Sequence, residues 1–201
     1  MSTDTPLLEL RIKLDEAITY GSRRAALSLA RRGVRDAQER DLQGEAEYFK
    51  GQVDLLQSRF TRAIEHFDAA IRHNPADGAS YNDRALCMVE LGIIDDSLAY
   101  FDKGIEVEPD YATVYHNKGW LLNNIGRHTE AIACFRKALS LEPRRAVTYD
   151  NLADALWNCG DFAGARQAYI KVIAFLPPRR CMEIRKEIMH KIKQIEGELK
   201  K

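Results

Sequence analysis

The side chains most able to do chemistry are histidines, paired acids and cysteines, and their spacing does not suit catalysis. His66 and His73 are seven residues apart, so on a helix they lie two turns apart, too far to share one metal ion. Asp95 and Asp96 follow a turn and open a helix, where acids interact well with the positive end of the helix dipole. The sequence has no nucleophile elbow, P-loop or HExxH motif. We therefore expect no enzymatic activity, no metal site and no cofactor.

Composition and cysteine placement indicate a cytoplasmic protein. The net charge is zero, which gives no electrostatic reason to expect nucleic acid or an acidic membrane as the main partner. No stretch approaches the roughly 18 apolar residues of a membrane span, and Asp4 stands where a signal peptide would be basic. The cysteines lack metal-binding or CxxC spacing and are expected to be reduced packing residues: Cys87, Cys134, Cys159 and Cys181.

A run of arginines without intervening acids lies near the N-terminus, at Arg23, Arg24, Arg31, Arg32 and Arg35. On a helix, Arg24, Arg31 and Arg35 share nearly one face. The simplest interpretation is a solvated outer helix, and docking onto an acidic partner is an alternative. Nucleic-acid binding is a weaker alternative, because no aromatic residues alternate with the arginines, and it predicts affinity that falls steeply with salt.

The chain repeats itself every 34 residues. Glycine marks a turn in three of the repeats, at Gly92, Gly126 and Gly160, and Ser58 takes that place in the first. A small residue, an aromatic residue, a second small residue and a proline then recur at fixed places. In that order they are Ala63, Ser97, Ala131 and Ala165; Phe67, Phe101, Phe135 and Tyr169; Ala70, Gly104, Ala138 and Val172; and Pro75, Pro109, Pro143 and Pro177.

This period and order of residues resemble the tetratricopeptide repeat (TPR) family. The resemblance implies an all-α fold, a right-handed α-solenoid of helix–turn–helix units in which each unit contacts its neighbours. Residues 7–43 match only weakly, since Gly21 and Ala26 keep the spacing but no aromatic residue or proline follows. We expect a tail at 1–6, a degenerate helix pair at 7–43, TPR units at 44–77, 78–111, 112–145 and 146–179, and a C-terminal capping helix at 180–201.

The segment after the last unit carries an apolar stripe on one helical face. We expect it to cover the end of the last unit, as the extra C-terminal helix does in the TPR family. A coiled-coil or partner-docking helix is the alternative. The stripe consists of Ile184, Ile188, Ile192, Ile195 and Leu199.

The resemblance also implies that the first helices of successive units line a concave groove that binds a partner. Asn117 and Asn151 hold the same place in neighbouring units, and an amide can both donate to and accept from a peptide backbone. Trp120 and Trp157 are candidate anchors. Alternatively, the amides bond to the adjacent helix and the rings pack the groove floor. The candidate groove residues are Asn82, Asp83, His116, Asn117, Trp120, Asn124, Asp150, Asn151, Asp154 and Trp157.

One specific TPR site, the carboxylate clamp that grips the acidic tails of heat-shock chaperones, does not match. The clamp needs lysine, arginine and asparagine side chains at five places, and only Asn117 fits. Acids stand in the groove where the clamp is basic, so we expect an acidic tail to be repelled and a neutral or basic segment to be preferred. The five clamp places hold Asn82, Leu86, Asn117, Val147 and Asn151.

Together these features predict a cytoplasmic, non-enzymatic adaptor or scaffold that binds an extended or helical segment of another protein. Two other classes stay open. One is a secretion-type or assembly chaperone, and the other is a structural subunit that self-associates through the C-terminal helix or the arginine face. No feature points to a membrane partner.

Overall fold

The computed structural model describes residues 5–176 and 181–198 of the chain. Within these ranges it contains helices and short connections and no strand. The predicted all-α fold is therefore confirmed. The helices are α1 (Thr5–Tyr20), α2 (Arg23–Glu39), α3 (Gln43–Leu56), α4 (Phe60–His73), α5 (Gly78–Glu90), α6 (Ile94–Val107), α7 (Ala112–Asn124), α8 (His128–Leu141), α9 (Ala146–Asn158), α10 (Phe162–Phe175) and α11 (Met182–Glu198).

Short turns with positive φ join the helices of each regular pair. The turn glycines have φ of 77° at Gly92, 81° at Gly126 and 79° at Gly160, a region that costs glycine nothing because it has no Cβ. Ser58 takes the same conformation, with φ of 60°, so the place predicted from the repeat is a turn in the first pair too. Asp41, between α2 and α3, is a further left-handed residue that the sequence did not indicate.

The repeated aromatic side chains form the core of each pair because a small residue faces them. Phe67 and Phe135 are fully buried. A Cβ on Gly51 would lie 2.6 Å from the Phe67 ring, and one on Gly119 would lie 2.8 Å from the Phe135 ring. Neither distance leaves room for a methyl group, so a close helix approach requires glycine at these two places.

The chain forms two compact units, Met1–Glu108 with α1–α6 and Pro109–Lys201 with α7–α11. In the first unit α2 packs on α1 and α3, and α4 packs on α3 and α5. In the second, α8 packs on α7 and α9, and α10 packs on α9 and α11. Each unit thus stacks helix pairs in series, the arrangement expected of helical repeats.

The two ends differ in detail from the sequence-based expectation. The helix α1 begins at Thr5, inside the segment expected to be a tail. In α11, Ile188 and Ile195 are buried, whereas Ile184 is 46% exposed, so only part of the stripe faces the protein. Pro177 and Leu199 lie outside the described residues. The division into units at the predicted boundaries, and the capping role of α11, remain predictions.

No helix in the described ranges is both long enough and apolar enough to cross a bilayer.

Candidate functional site

In the first unit, the predicted groove residues Asn82 and Asp83 are buried in α5. The Asn82 amide donates to Asp83 Oδ1 at 2.8 Å, and Gln52 Nε2 donates to Asp83 Oδ2. Burial raises the pKa of Asp83 to about 7 against the lowering effect of the Asn82 hydrogen bond, and the nearby carboxylate of Asp77 adds to the rise. These two side chains form part of an internal polar network.

Arg11 of α1 lies in the same unit and was missed by the sequence analysis. Its Nη1 is 2.9 Å from Asp77 Oδ1, its Nε is 3.0 Å from Glu45 Oε2, and its guanidinium lies 3.6 Å from the centre of the Tyr48 ring. Ser80 Oγ completes the group by donating to Asp77 at 2.6 Å. Arg11 therefore ties α1 to α3 and to the start of α5 through charged hydrogen bonds.

A positional signal could have found Arg11. If the degenerate pair is counted from residue 7, Arg11 takes the fifth place, which Tyr48 and Asn82 hold in the next two repeats. A cation at that place, next to repeats that carry Glu45 and Asp83, predicts an ion pair across neighbouring first helices.

In the second unit, His116 of α7 bonds to two side chains of α9. Its Nδ1 lies 2.9 Å from Thr148 Oγ1, and its Nε2 lies 3.4 Å from Asn151 Nδ2. Because the Asn151 amide nitrogen can only donate, Nε2 accepts and Nδ1–H donates to Thr148. Burial, together with the positive charge of Arg145, lowers the pKa of His116 to about 3. The imidazole is therefore neutral near pH 7.

Asn123, near the end of α7, makes one polar contact with α9 and one with the start of α8. Asn123 Oδ1 accepts from Asn158 Nδ2 at 3.5 Å and from His128 Nδ1 at 2.6 Å. With the His116 contacts, the bond to Asn158 places α7 and α9 side by side. Asn117 and Asn124 also lie on α7; Asn117 is half-buried and Asn124 is exposed.

The two tryptophans lie on the first helices of two successive repeats, as the sequence predicted. Trp120 on α7 and Trp157 on α9 are both half-buried. The Trp157 ring packs edge-on against Phe162, with centroids 5.9 Å apart. Part of each ring is therefore packed and part stays accessible, a combination common in binding anchors.

The acidic residues of α9 meet a lysine of the chain itself. Lys191 Nζ of α11 is 3.1 Å from Asp154 Oδ1 and 3.9 Å from Asp150 Oδ1, and the Tyr169 hydroxyl donates to Asp154. Burial raises the pKa of Asp150, although Lys191 opposes the rise. Burial and the bond to Asp154 also raise the pKa of Tyr169. A cation already occupies the place where the sequence predicted that basic ligands would bind.

The arginine face lies on α2, as expected, and its members differ in their surroundings. Arg24, Arg31 and Arg35 are exposed. Arg31 and Arg35 line an open cleft with residues of α3 and α4, and Arg24 does not. Arg23, next to them, donates to the Leu56 carbonyl and to Ser58 Oγ and so fastens α2 to the end of α3. In the described part of the chain, no three His, Cys, Asp or Glu side chains could together hold a metal ion.

Solved structures with a similar fold cover most of the chain. A thermophilic TPR protein of Thermus thermophilus superposes with a TM-score of 0.73 at 20% identity, over 92% of this chain and 98% of that one. YrrB, described as a TPR protein with an unusual peptide-binding site, superposes with a TM-score of 0.58 at 18% identity, over 86% of this chain and 88% of that one. These likenesses show the fold.

One curated relative shares sequence with a short part of the chain. The Hsp70-Hsp90 organizing protein of Triticum aestivum is 39% identical over 49 residues. That match covers 24% of this chain and 8% of the length of the wheat protein.

Tetratricopeptide repeat family models match residues 15–77, 48–112, 112–145 and 145–175. The matches run without a break from residue 15 to residue 175, across the helix pairs described above. The chain belongs to the tetratricopeptide repeat family, whose members mediate protein–protein interaction.

Proposed function

We propose that the chain is a non-enzymatic adaptor that binds an extended or helical segment of another protein along the first helices of its repeats, principally α7 and α9. The observation that carries the proposal is the side-by-side placement of these helices by the contacts of His116 and Asn123. That placement aligns two equivalent repeat positions, Asn117 and Asn151, on adjacent helices that also carry the half-buried Trp120 and Trp157.

The amides supply the polar part of the proposed contact. Asn151 uses its Nδ2 toward His116, which leaves its Oδ1 to accept from a backbone N–H of the ligand. Such bonds give affinity for an extended chain without strong choice of its side chains. The accessible parts of the Trp120 and Trp157 rings supply apolar anchors, the residue type that most often carries binding energy.

The preferred ligand segment is neutral or basic. Asp150 and Asp154 both form ion pairs with the ammonium group of Lys191, which lies where we propose that a cation of the ligand binds. A basic side chain would replace Lys191 there, and an acidic one would meet the two carboxylates.

An acidic chaperone tail is not proposed as the ligand. The similarity to an Hsp70-Hsp90 organizing protein is confined to a segment that is 8% of that protein's length. Of the clamp places, Leu86 and Val147 are apolar and only Asn117 matches.

Selection from a displayed library of random peptides tests the proposal. We expect the peptides retained by the wild-type protein to be depleted in Asp and Glu. We also expect them to lose about tenfold or more in affinity when Asn117 and Asn151 are both replaced by Ala, because each amide supplies about 1 kcal/mol of hydrogen bonding. Asn74→Ala, in the exposed connection before α5, is the control. Affinities that stay within a factor of two in the double variant would contradict the role of the amides.

A further inference from the structure

An open cleft lies in the first unit, and no residue of α7 or α9 is in its lining. It has a volume of about 570 Å³ and is bounded by α2, α3 and the start of α4. Five of the residues around it are cations and one is an acid. The lining consists of Arg31, Val34, Arg35, Lys50, Val53, Asp54, Arg59, Arg62 and His66, which we call the basic cleft.

The single carboxylate in the lining of the basic cleft, that of Asp54, is buried. The Asp54 side chain is 4% exposed and accepts from Arg59, while Arg62 Nε lies 3.6 Å and His66 Nε2 lies 3.5 Å from its Oδ2. Asp54 thus gathers the side chains of α4 into the cleft. One negative charge cannot neutralise the two arginines it holds.

Glu47 forms an ion pair with Lys50, one of the cations that line the cleft. Its carboxylate accepts from Lys50 at 2.7 Å and from His66 Nδ1 at 2.6 Å. Partial burial alone would raise the pKa of Glu47, but these two hydrogen bonds outweigh it and lower the pKa. The contact leaves Lys50 paired, so the positive excess of the cleft rests on its arginines.

Arg31 and Arg35 have no acidic partner in residues 5–176 and 181–198. Both are exposed and stand one turn apart on α2, on the side that lines the cleft. The half-buried Val34 and Val53 line the same cleft. The basic cleft therefore combines two guanidinium groups of α2 without an acidic partner, the guanidinium groups of Arg59 and Arg62 that share one carboxylate, and two valine side chains.

We propose that the basic cleft is a second binding site, which takes an acidic segment of a partner protein. Carboxylates of that segment pair with Arg31, Arg35 and Arg62, since guanidinium groups bind carboxylates in a two-pronged geometry. An aliphatic side chain of the same segment packs on Val34 and Val53. The site differs in place and in ligand charge from the α7 and α9 surface, so one chain can hold two unlike segments.

The arrangement of charges favours an acidic peptide over other anions. The buried carboxylate of Asp54 opposes a compact dianion such as a single phosphate, whereas the spaced carboxylates of a peptide can pair one by one with Arg31 and Arg35. The lining contains no Phe, Tyr or Trp ring on which a nucleotide base could stack, and its one aromatic ring, that of His66, contacts Glu47 and Asp54.

Fluorescence anisotropy with a labelled peptide of repeated Glu-Glu-Val triplets tests the site. We expect the double variant Arg31→Glu, Arg35→Glu to bind the peptide about tenfold or more weakly than the wild type, because two attractive pairs become repulsive. The matched control is Arg24→Glu, Arg32→Glu, which makes the same charge change on α2 outside the lining and should cost less than about threefold. Thermal unfolding followed by circular dichroism shows that both variants are folded.

Four results would overturn the proposal. Equal weakening in the test and control variants would mean diffuse attraction to a basic helix. Equal binding of a Gln-Gln-Val peptide would mean that carboxylates are not recognised. Tighter binding of single-stranded oligouridine than of the acidic peptide at the same salt would mark a nucleic-acid site. No binding of the peptide at about 1 mM would mean that the cleft holds no acidic segment.

Discussion

Asp83 and His116 are buried ionisable side chains whose charged forms the fold disfavours, so each couples stability to pH. For Asp83, the folded pKa of about 7 lies above its ordinary value of 3.8. Between these values the folded protein keeps a proton that the unfolded chain has lost. The free energy of unfolding therefore decreases as pH rises from about 4 to about 7 through this group.

Replacing Asp83 with Asn should remove that dependence. The amide of Asn cannot ionise. If the Gln52 amide rotates, the Asn NH2 group can donate to Gln52 Oε1, a buried atom without a partner, while its oxygen still accepts from Asn82. We expect the variant to be more stable than the wild type at about pH 8 by on the order of 1–3 kcal/mol, with little gain at about pH 5. Urea unfolding at both pH values measures this. An unchanged pH dependence, equal to that of the exposed control Asp110→Asn, would contradict the pKa assignment.

His116 acts with the opposite sign. Its folded pKa of about 3 lies below its ordinary value of 6.5, so between these values the unfolded chain binds a proton that the folded protein does not. Stability is therefore lost as pH falls from about 6.5 toward about 3. We expect His116→Asn to be less stable near pH 7.5 by about 1 kcal/mol, through loss of the bond to Thr148, yet to lose less on acidification to about pH 5.

The same unfolding series should be run on His190→Asn, in which an exposed histidine of the second unit is changed. We expect that control to lose as much stability as the wild type when the pH is lowered. If His116→Asn lost the same amount, His116 would be solvated in the folded protein, and its bond to Thr148 would not join α7 to α9.

Between helices, the closest approaches require glycine. A Cβ on Gly119 of α7 would lie 2.8 Å from the buried Phe135 ring and 3.2 Å from the Ala131 carbonyl oxygen of α8. We expect Gly119→Ala to destabilise the protein by about 1–3 kcal/mol, although alanine favours a helix. Gly197→Ala in α11, where nothing lies within 4 Å, is the matched control and should be neutral or slightly stabilising. Thermal melting that ranks the two variants in the reverse order would mean that α7 and α8 are not so close.

The helix α11 is part of the second unit through a few buried side chains. Ile195 is fully buried, and Arg166 of α10 pairs with Glu196 at 3.0 Å. We expect Ile195→Ala to lower the free energy of unfolding by about 2–4 kcal/mol, because it leaves a cavity. Ile184→Ala, at a position that is 46% exposed, should cost less than about 1 kcal/mol. Chemical denaturation of both variants gives the comparison; equal small effects would mean that α11 does not cover α10 in solution.

At this scale the sequence predicted the turns well and the polar contacts poorly. The turn at Ser58 followed from its place in the period, because backbone conformation repeats with the period even when the residue changes. Lys191 gave no such signal. It lies outside the repeats, and its contact with Asp150 and Asp154 depends on how α11 turns as it packs, which local sequence does not fix.

Across the whole chain, the fold follows from the period and the function does not. The 34-residue spacing determines the helix pairs because each pair must bury Phe67 or its counterparts against small residues of the same repeat. The period alone does not predict the candidate site, because similar places in the repeat have different surroundings. Asn82 is buried and donates to Asp83, whereas Asn151, at a similar place, is half-buried. The polar network of the first unit includes Arg11, which pairs with Glu45 and Asp77 and lies in a repeat that matches the family only weakly.

If a partner protein binds along α7 and α9, affinity capture from a lysate of the source organism should recover it. Wild-type protein would be compared with an Asn117→Ala, Asn151→Ala, Trp120→Ala variant that circular dichroism shows to be folded. We expect to recover a protein that the wild type retains and the triple variant loses. Equal recovery of the same partner by both proteins would contradict this expectation and would place the interaction on another surface, such as the basic cleft or α11.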